Sequence, residues 1–212
     1  MSDPESGRTE WYASDPRAIV PLDGSFHVPK RLARRVRSGR FLVTTDRAFG
    51  AVIRACADPD REGAWINSDI IDLFDELHRF GHAHSIEAWL HAEAQPDHPA
   101  DPRRIPGQIE FDGRPHILVG GLYGVSIGGL FAGEAMFSRP DLGGTDASKV
   151  ALVWCVEHLI ACGFILFDAQ FSNPHLEQFG LLELAADRYA ELLAVGVDRK
   201  PCWQPIDLPK PE

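Results

Sequence analysis

Apolar side chains recur along the chain with two periods, one helical and one of strict alternation, and the switches between them mark the elements. After an extended entry, "WYASDPRAIVPL", the stretch "KRLARRVRSGR" (residues 30–40) places Leu32, Ala33 and Val36 on one helical face. A short strand "FLVTT" and a helix over Arg47 to Ala57 follow, then a helix from about Asn67, capped by Asn67 or Ser68 and stopped at Gly81. "HSIEAWL" reads as a strand. "HILVGGLYGVSIGGLFAGEAMF" alternates well enough for two strands turned at Gly128-Gly129. In "TDASKVALVWCVEHLIACG", Val150, Val153, Trp154, Leu159 and Ile160 recur at helical spacing, with Thr145 or Asp146 at the start and Gly163 at the end. A strand over 164–170 comes next, and Asn173-Pro174 then opens a short helix. "LLEL" is a short strand, and a last helix runs from about Asp187 to Val195.

Strands interleaved with helices around a central hairpin predict an α+β architecture, a mixed sheet flanked by helices, without internal repeats. Residues 91–115, rich in Pro, Asp, Gly and His and without periodicity, read as a mobile insertion between two strands. The expected organisation is one domain over 11–205, a disordered 1–10 and a tail at 206–212. The order hairpin, helix, strand is also that of the acetyl-CoA-dependent N-acetyltransferases, whose pyrophosphate loop would fall on "SRPDLGGTDAS". That stretch only approximates the required basic residues and spaced glycines, so the fold (GNAT-like) is expected without CoA or any other cofactor. Glycines 120, 121, 124 and 133 weaken strands and imply close approach of a ligand or of another backbone.

Composition narrows the class. With 44% hydrophobic residues over 212 positions, no apolar run of membrane-spanning length and no signal-like N-terminus, a soluble cytoplasmic protein is expected. Cys56, Cys155, Cys162 and Cys202 form no C-x-x-C and are expected as buried free thiols. His82 and His84 alternate as metal ligands can, but no third ligand stands at credible spacing, and no metal is expected.

Charge then changes the picture. A net charge of −10 argues against nucleic acid, yet Lys30, Arg31, Arg34, Arg35, Arg37 and Arg40 stand together with no acid among them. On a helix Arg31 and Arg35 form one stripe and Lys30, Arg34 and Arg37 the next, a cationic flank suited either to water or to a polyanion.

The strand 164–170, "FILFDAQ", ends in two polar side chains two positions apart. Asp168 and Gln170 would share a face with Phe164 and Leu166. Either the strand surfaces there, or its end delivers both groups into a site.

Taken in order, "WYASDPRAIVPL", "AFGAVIRACAD", "GAWI", "LHRFGHAHSIEAW", "GGLYGVSIGGLFAGEAMFSR", "ASKVAL" and "FDAQFSNPHLEQFG" resemble the leucyl/phenylalanyl-tRNA protein transferases. The resemblance implies transfer of Leu or Phe from aminoacyl-tRNA to the N-terminal Arg or Lys of a protein, marking it for degradation. Acylation of another amine, or CoA-dependent acyl transfer, is the alternative. It implies a catalytic pair in Asp168 and Gln170, with Asp168 polarising the Gln170 side chain toward the attacking amine, and Glu134 holding the amine or the aminoacyl group. It implies an apolar pocket of Leu122, Phe131, Leu152, Cys155, Leu159 and Phe167, with Trp65 on the terminal adenosine and the acceptor stem on Lys30, Arg31, Arg34, Arg35 and Arg37. Phe74 stands where the family has tyrosine. The family usually carries a small N-terminal domain ending in F-P-W, and only ten residues precede Trp11 here, so a shortened member lacking part of the cleft is expected.

Overall fold

One eight-stranded sheet organises the chain, in a computed structural model that describes residues 14–59, 65–92 and 107–206. Its strands are β1 (Arg17–Val20), β2 (Leu42–Thr45), β3 (Ala83–His91), β4 (Gln108–Phe111), β5 (Arg114–Ile127), β6 (Leu130–Ser138), β7 (Leu166–Gln170) and β8 (Leu182–Leu184). They run in the order β2-β3-β5-β6-β7-β1-β8, with β4 paired to β5. Every pairing is antiparallel except β6 with β7, so the sheet is mixed. The helices are α1 (Lys30–Arg37), α2 (Phe49–Cys56), α3 (Ser68–Arg79), α4 (Ala147–Cys162), α5 (Pro174–Glu177) and α6 (Ala186–Val197). None among the described residues is long and apolar enough to cross a membrane.

Local chemistry explains most boundaries. Asn67 caps α3 by accepting from the Ile70 backbone N–H, and Asn173 caps α5 by accepting from His175 and Leu176. Gly163 ends α4 with φ +86°, and Gly128 turns the β5–β6 hairpin with φ +54°. Helix α4 is apolar around most of its circumference because it is covered on several sides. Val150, Leu152, Cys155, Val156 and Leu159 all belong to the main core, which the sheet closes with Ile86, Leu122, Phe131 and Phe167. A second cluster, under α2 and α3, holds Phe49, Ile53, Trp89 and Tyr123.

Some expectations need correction. The insertion at 91–115 is shorter at both ends. β3 runs on to His91, and residues 108–127 form a hairpin turned at Asp112-Gly113, both with positive φ. The Asp-Gly turn signal is present in the sequence but sits amid a Pro- and His-rich composition that hid it. The middle of that segment, like residues 1–10 and 207–212, lies outside the described residues. β7 begins at Leu166 rather than 164. The cysteines are free, but Cys162 is only half-buried and Cys202 is exposed. The strand glycines serve backbone approach: a Cβ on Gly120 would stand 2.5 Å from the Ala147 Cβ, so α4 can seat its first turn directly on β5.

Candidate active site

Strands β6 and β7 pair only over Leu130–Ala132 and Leu166–Asp168. Beyond that point β6 continues beside β5 alone, and the gap between the diverging strands opens into a cleft of about 750 Å³. Gly133 to Ser138 line one side and Ala169 to Phe171 the other. Ser148, Lys149 and Leu152 of α4 line it too, as do Trp65, Ile70, Leu73 and Phe74 from α3 and the segment before it. Leu122 and Phe167 contribute further apolar wall. The lining is mostly apolar with a few converging polar groups, the usual constitution of a small-molecule site.

The end of β7 supplies the polar groups, though not in the expected way. Asp168 is 1% exposed and does not line the cleft. Its Oδ2 accepts from Arg17 Nε at 2.9 Å, from Arg17 Nη2 at 2.7 Å and from the Tyr189 hydroxyl at 2.8 Å. Its Oδ1 accepts from the backbone N–H of Gln170 at 2.8 Å. Gln170 has φ +65°, so the alternation that would place it beside Asp168 is broken and its side chain lines the cleft instead. A non-glycine residue held there costs about 1–3 kcal/mol and needs surroundings that fix it. The Asp168 acceptor on its N–H and the Ser14 hydroxyl donating to its C=O at 2.7 Å do so. Asp168 therefore grips the Gln170 backbone, whereas polarisation of the Gln170 side chain was expected.

The side-chain amide is oriented from the other strand. Gln170 Nε2 donates to the Gly133 carbonyl at 3.1 Å and to Glu134 Oε2 at 3.3 Å, so among the described residues Oε1 is its open acceptor edge. Burial raises the Glu134 carboxyl above its ordinary range, with the Asp168 charge adding to it, while the Gln170 hydrogen bond pulls the other way. The Tyr189 hydroxyl is pushed up to about 12, by burial first and then by Asp168, so it stays a donor near neutral pH.

Of the expected pocket residues, Trp65, Leu122, Leu152 and Phe167 line the cleft. Phe131, Cys155 and Leu159 are fully buried in the core cluster that Leu122, Leu152 and Phe167 also join. Phe74 lines the cleft and meets Tyr123 edge-on, with ring centroids 5.3 Å apart. His84 is buried and paired with Asp46 at 2.8 Å, while His82 is exposed. Arg17 and Tyr189 were not anticipated as site residues. The available signal was an arginine opening the otherwise apolar strand "RAIV", which pairs antiparallel with β7 with Ile19 opposite Asp168.

Helix α1 packs against α4 through a face that buries Leu32. Lys30, Arg31, Arg34 and Arg37 are exposed and Arg35 is half-buried, and no ion pair among the described residues engages them. Arg34, Arg35 and Arg37 fill the last turn, where the helix dipole favours cations. Arg40 Nη2 donates at 3.2 Å to the Gly143 carbonyl, in the loop that leads into α4. The cationic flank and the cleft are thus joined through one helix.

A family model described as leucyl/phenylalanyl-tRNA protein transferase matches residues 19–95 and 112–194. A leucyl/phenylalanyl-tRNA–protein transferase of Salinibacter ruber is 42% identical over 97% of this chain and 77% of its own length. Another, of Hyphomonas neptunium, is 47% identical over 87% of this chain and 62% of its own. The solved structure of L-PGS from Bacillus licheniformis aligns at TM-score 0.44 and 12% identity, over 88% of this chain and 66% of that one.

Proposed function

The chain belongs to the leucyl/phenylalanyl-tRNA protein transferase family, and from that premise we propose that it moves Leu or Phe from aminoacyl-tRNA to the N-terminal Arg or Lys of a protein, in the cytoplasm, so tagging the acceptor for degradation. The acetyltransferase-like reading of the sheet and a single domain over 11–205 are part of this proposal. The observation that carries it is Gln170, turned into an apolar cleft with its amide nitrogen committed to Gly133 and Glu134.

The chemistry is aminolysis of an ester. The α-amine attacks the ester carbonyl, the C–N bond forms, the bond to the ribose oxygen breaks, and the amine's proton ends on that leaving hydroxyl. An α-amine has a pKa of about 7.7–8.0, so an appreciable fraction is neutral at physiological pH and the main task is to hold it in line. Gln170 Oε1 accepts one amine N–H. Glu134, with its raised carboxyl, is a better proton acceptor than an ordinary glutamate and sits against the same amide. Asp168 acts through the backbone it grips, as the group that keeps Gln170 turned into the cleft. The apolar wall of Leu122, Leu152 and Phe167 suits Leu or Phe, Trp65 offers a π-face to the terminal adenosine, and Lys30, Arg31, Arg34, Arg35 and Arg37 suit the acceptor stem.

Incubation of the protein with radiolabelled Leu-, Phe- and Met-tRNA and peptides beginning in Arg, Lys, Asp or Ala tests this. Label from Leu or Phe on the Arg and Lys peptides is expected. Transfer from acetyl-CoA with none from any aminoacyl-tRNA would overturn it. Replacing Arg31, Arg34 and Arg35 by Ala should weaken tRNA binding and flatten its salt dependence by roughly 0.7–0.9 units of log slope per lost phosphate contact.

A further inference from the structure

The C-terminal segment 201–206 runs over the outside of the main core, with Cys202, Gln204 and Pro205 exposed and Trp203 and Ile206 packed against it, and one ring dominates it. Trp203 stacks on His84 (centroids 4.0 Å apart, 14° between planes) and on Phe131 (5.8 Å, 19°). It meets His158 and Phe164 edge-on at 4.5 and 6.2 Å. The segment is pinned beyond it by the Ile206 N–H, which donates to Thr45 Oγ1 at 3.0 Å. The indole N–H is buried without an acceptor among the described residues, so within them the ring is held by its bulk and its faces rather than by a hydrogen bond.

Phe131 is the link to the cleft. Its ring lies flat on Trp203 on one side and meets Phe167 edge-on at 5.4 Å on the other, and Phe167 lines the cleft. Helix α4 repeats the same layering: Leu152 faces the cleft, Cys155 is fully buried one turn on, and His158 touches Trp203 a turn further. Two rings in series, Phe131 and then Phe167, therefore separate the segment from the cleft, with Cys155 buried between Leu152 and His158 along α4.

We propose that Trp203 sets the depth of the apolar pocket by backing Phe131, and so tunes which aminoacyl side chain the enzyme takes. This rests on the aminoacyl-transfer reading above. The matched family region ends at residue 194, so it assigns nothing to this segment. Close-packed interiors relax only partly around a deleted side chain. Without the indole, Phe131 can recede from Phe167, and the pocket gains room where a side chain longer than leucine would end. Trp203 is a positioning residue here; it does not touch the aminoacyl group.

The test compares the full chain with its Trp203→Ala and Trp203→Phe variants, measuring kcat/KM for leucyl- and phenylalanyl-tRNA on one Arg-initiated peptide, with a thermal melt of each protein. The phenylalanyl-to-leucyl ratio should rise about tenfold in Trp203→Ala, the scale on which hydrophobic pockets discriminate, and by less in Trp203→Phe, which keeps a ring against Phe131. A merely structural indole would lower both rates together and leave the ratio alone. A ratio within about twofold of wild type in whichever variant folds, or failure of both to fold, overturns the inference while wild-type transfer upholds the reading beneath it. Absence of transfer by the wild type overturns that reading as well.

Discussion

Asp168 and Glu87 are carboxylic side chains buried in the same sheet, 1% and 0% exposed, and their surroundings differ in kind. Asp168 has a counter-charge in Arg17 and neutral donors in Tyr189 and the Gln170 N–H. Glu87 has neutral donors only: Ser85 and Thr44 hydroxyls at 2.5 Å each, and the Ala48 N–H at 3.4 Å. Asp46 adds a nearby like charge, and burial pushes the Glu87 carboxyl up to about 7. A search for perturbed carboxyls alone would single out Glu87, although it lines no part of the cleft. What distinguishes Asp168 is that its partners are themselves parts of the cleft: Arg17 lines it, and another is the backbone that turns Gln170 into it.

The sharpest way to break this contrast is to remove the counter-charge. Arg17→Met should cost about 3–5 kcal/mol by urea denaturation, because it strands a buried carboxylate, and adding Asp168→Leu should return much of it. Full loss in the double variant would mean that Arg17 matters for packing rather than charge. Next is Glu87→Gln. In the unfolded chain this carboxyl ionises near 4.5 and in the fold near 7, so between those values the native state keeps a proton that the unfolded state has released. Stability should be full below pH 4.5 and fall by about 3 kcal/mol as pH rises to 7. The Gln variant should lose that slope and keep its transfer rate.

Asp168→Asn should lower turnover by at least ~100-fold, or about 2.7 kcal/mol of barrier. Asparagine can still accept from the Gln170 N–H but leaves Arg17 without its charge, so a lowered melting temperature is expected too. Single-turnover kinetics beside a melt separates the two effects. Tyr189→Phe is the mildest probe. It removes one neutral donor from Asp168 and should cost about 1 kcal/mol with a severalfold drop in turnover, and a variant matching wild type in both would show that Arg17 and the Gln170 N–H hold the carboxylate without it.

The sequence by itself determined most of the elements, though not the β4–β5 hairpin, and carried the resemblance to the family. Helical spacing, the Asn67 and Asn173 caps and the Gly128 turn are local in origin, since each depends on side chains within a few residues of the backbone they act on. The identities of Asp168, Gln170 and Glu134 as candidates were legible for the same reason, carried by short motifs. The tertiary structure alone decided how they are held. Strand alternation predicts one shared face for Asp168 and Gln170, and long-range partners override it: Arg17 is 151 positions from Asp168, Ser14 is 156 from Gln170, and Glu134 is 36 from it. Likewise, apolar residues 122, 131, 152, 155, 159 and 167 look alike in a pattern of hydrophobic positions. Only the place where β6 parts from β7 separates those that face the cleft from those behind it, because the sheet's pairing is fixed by contacts that no local window contains.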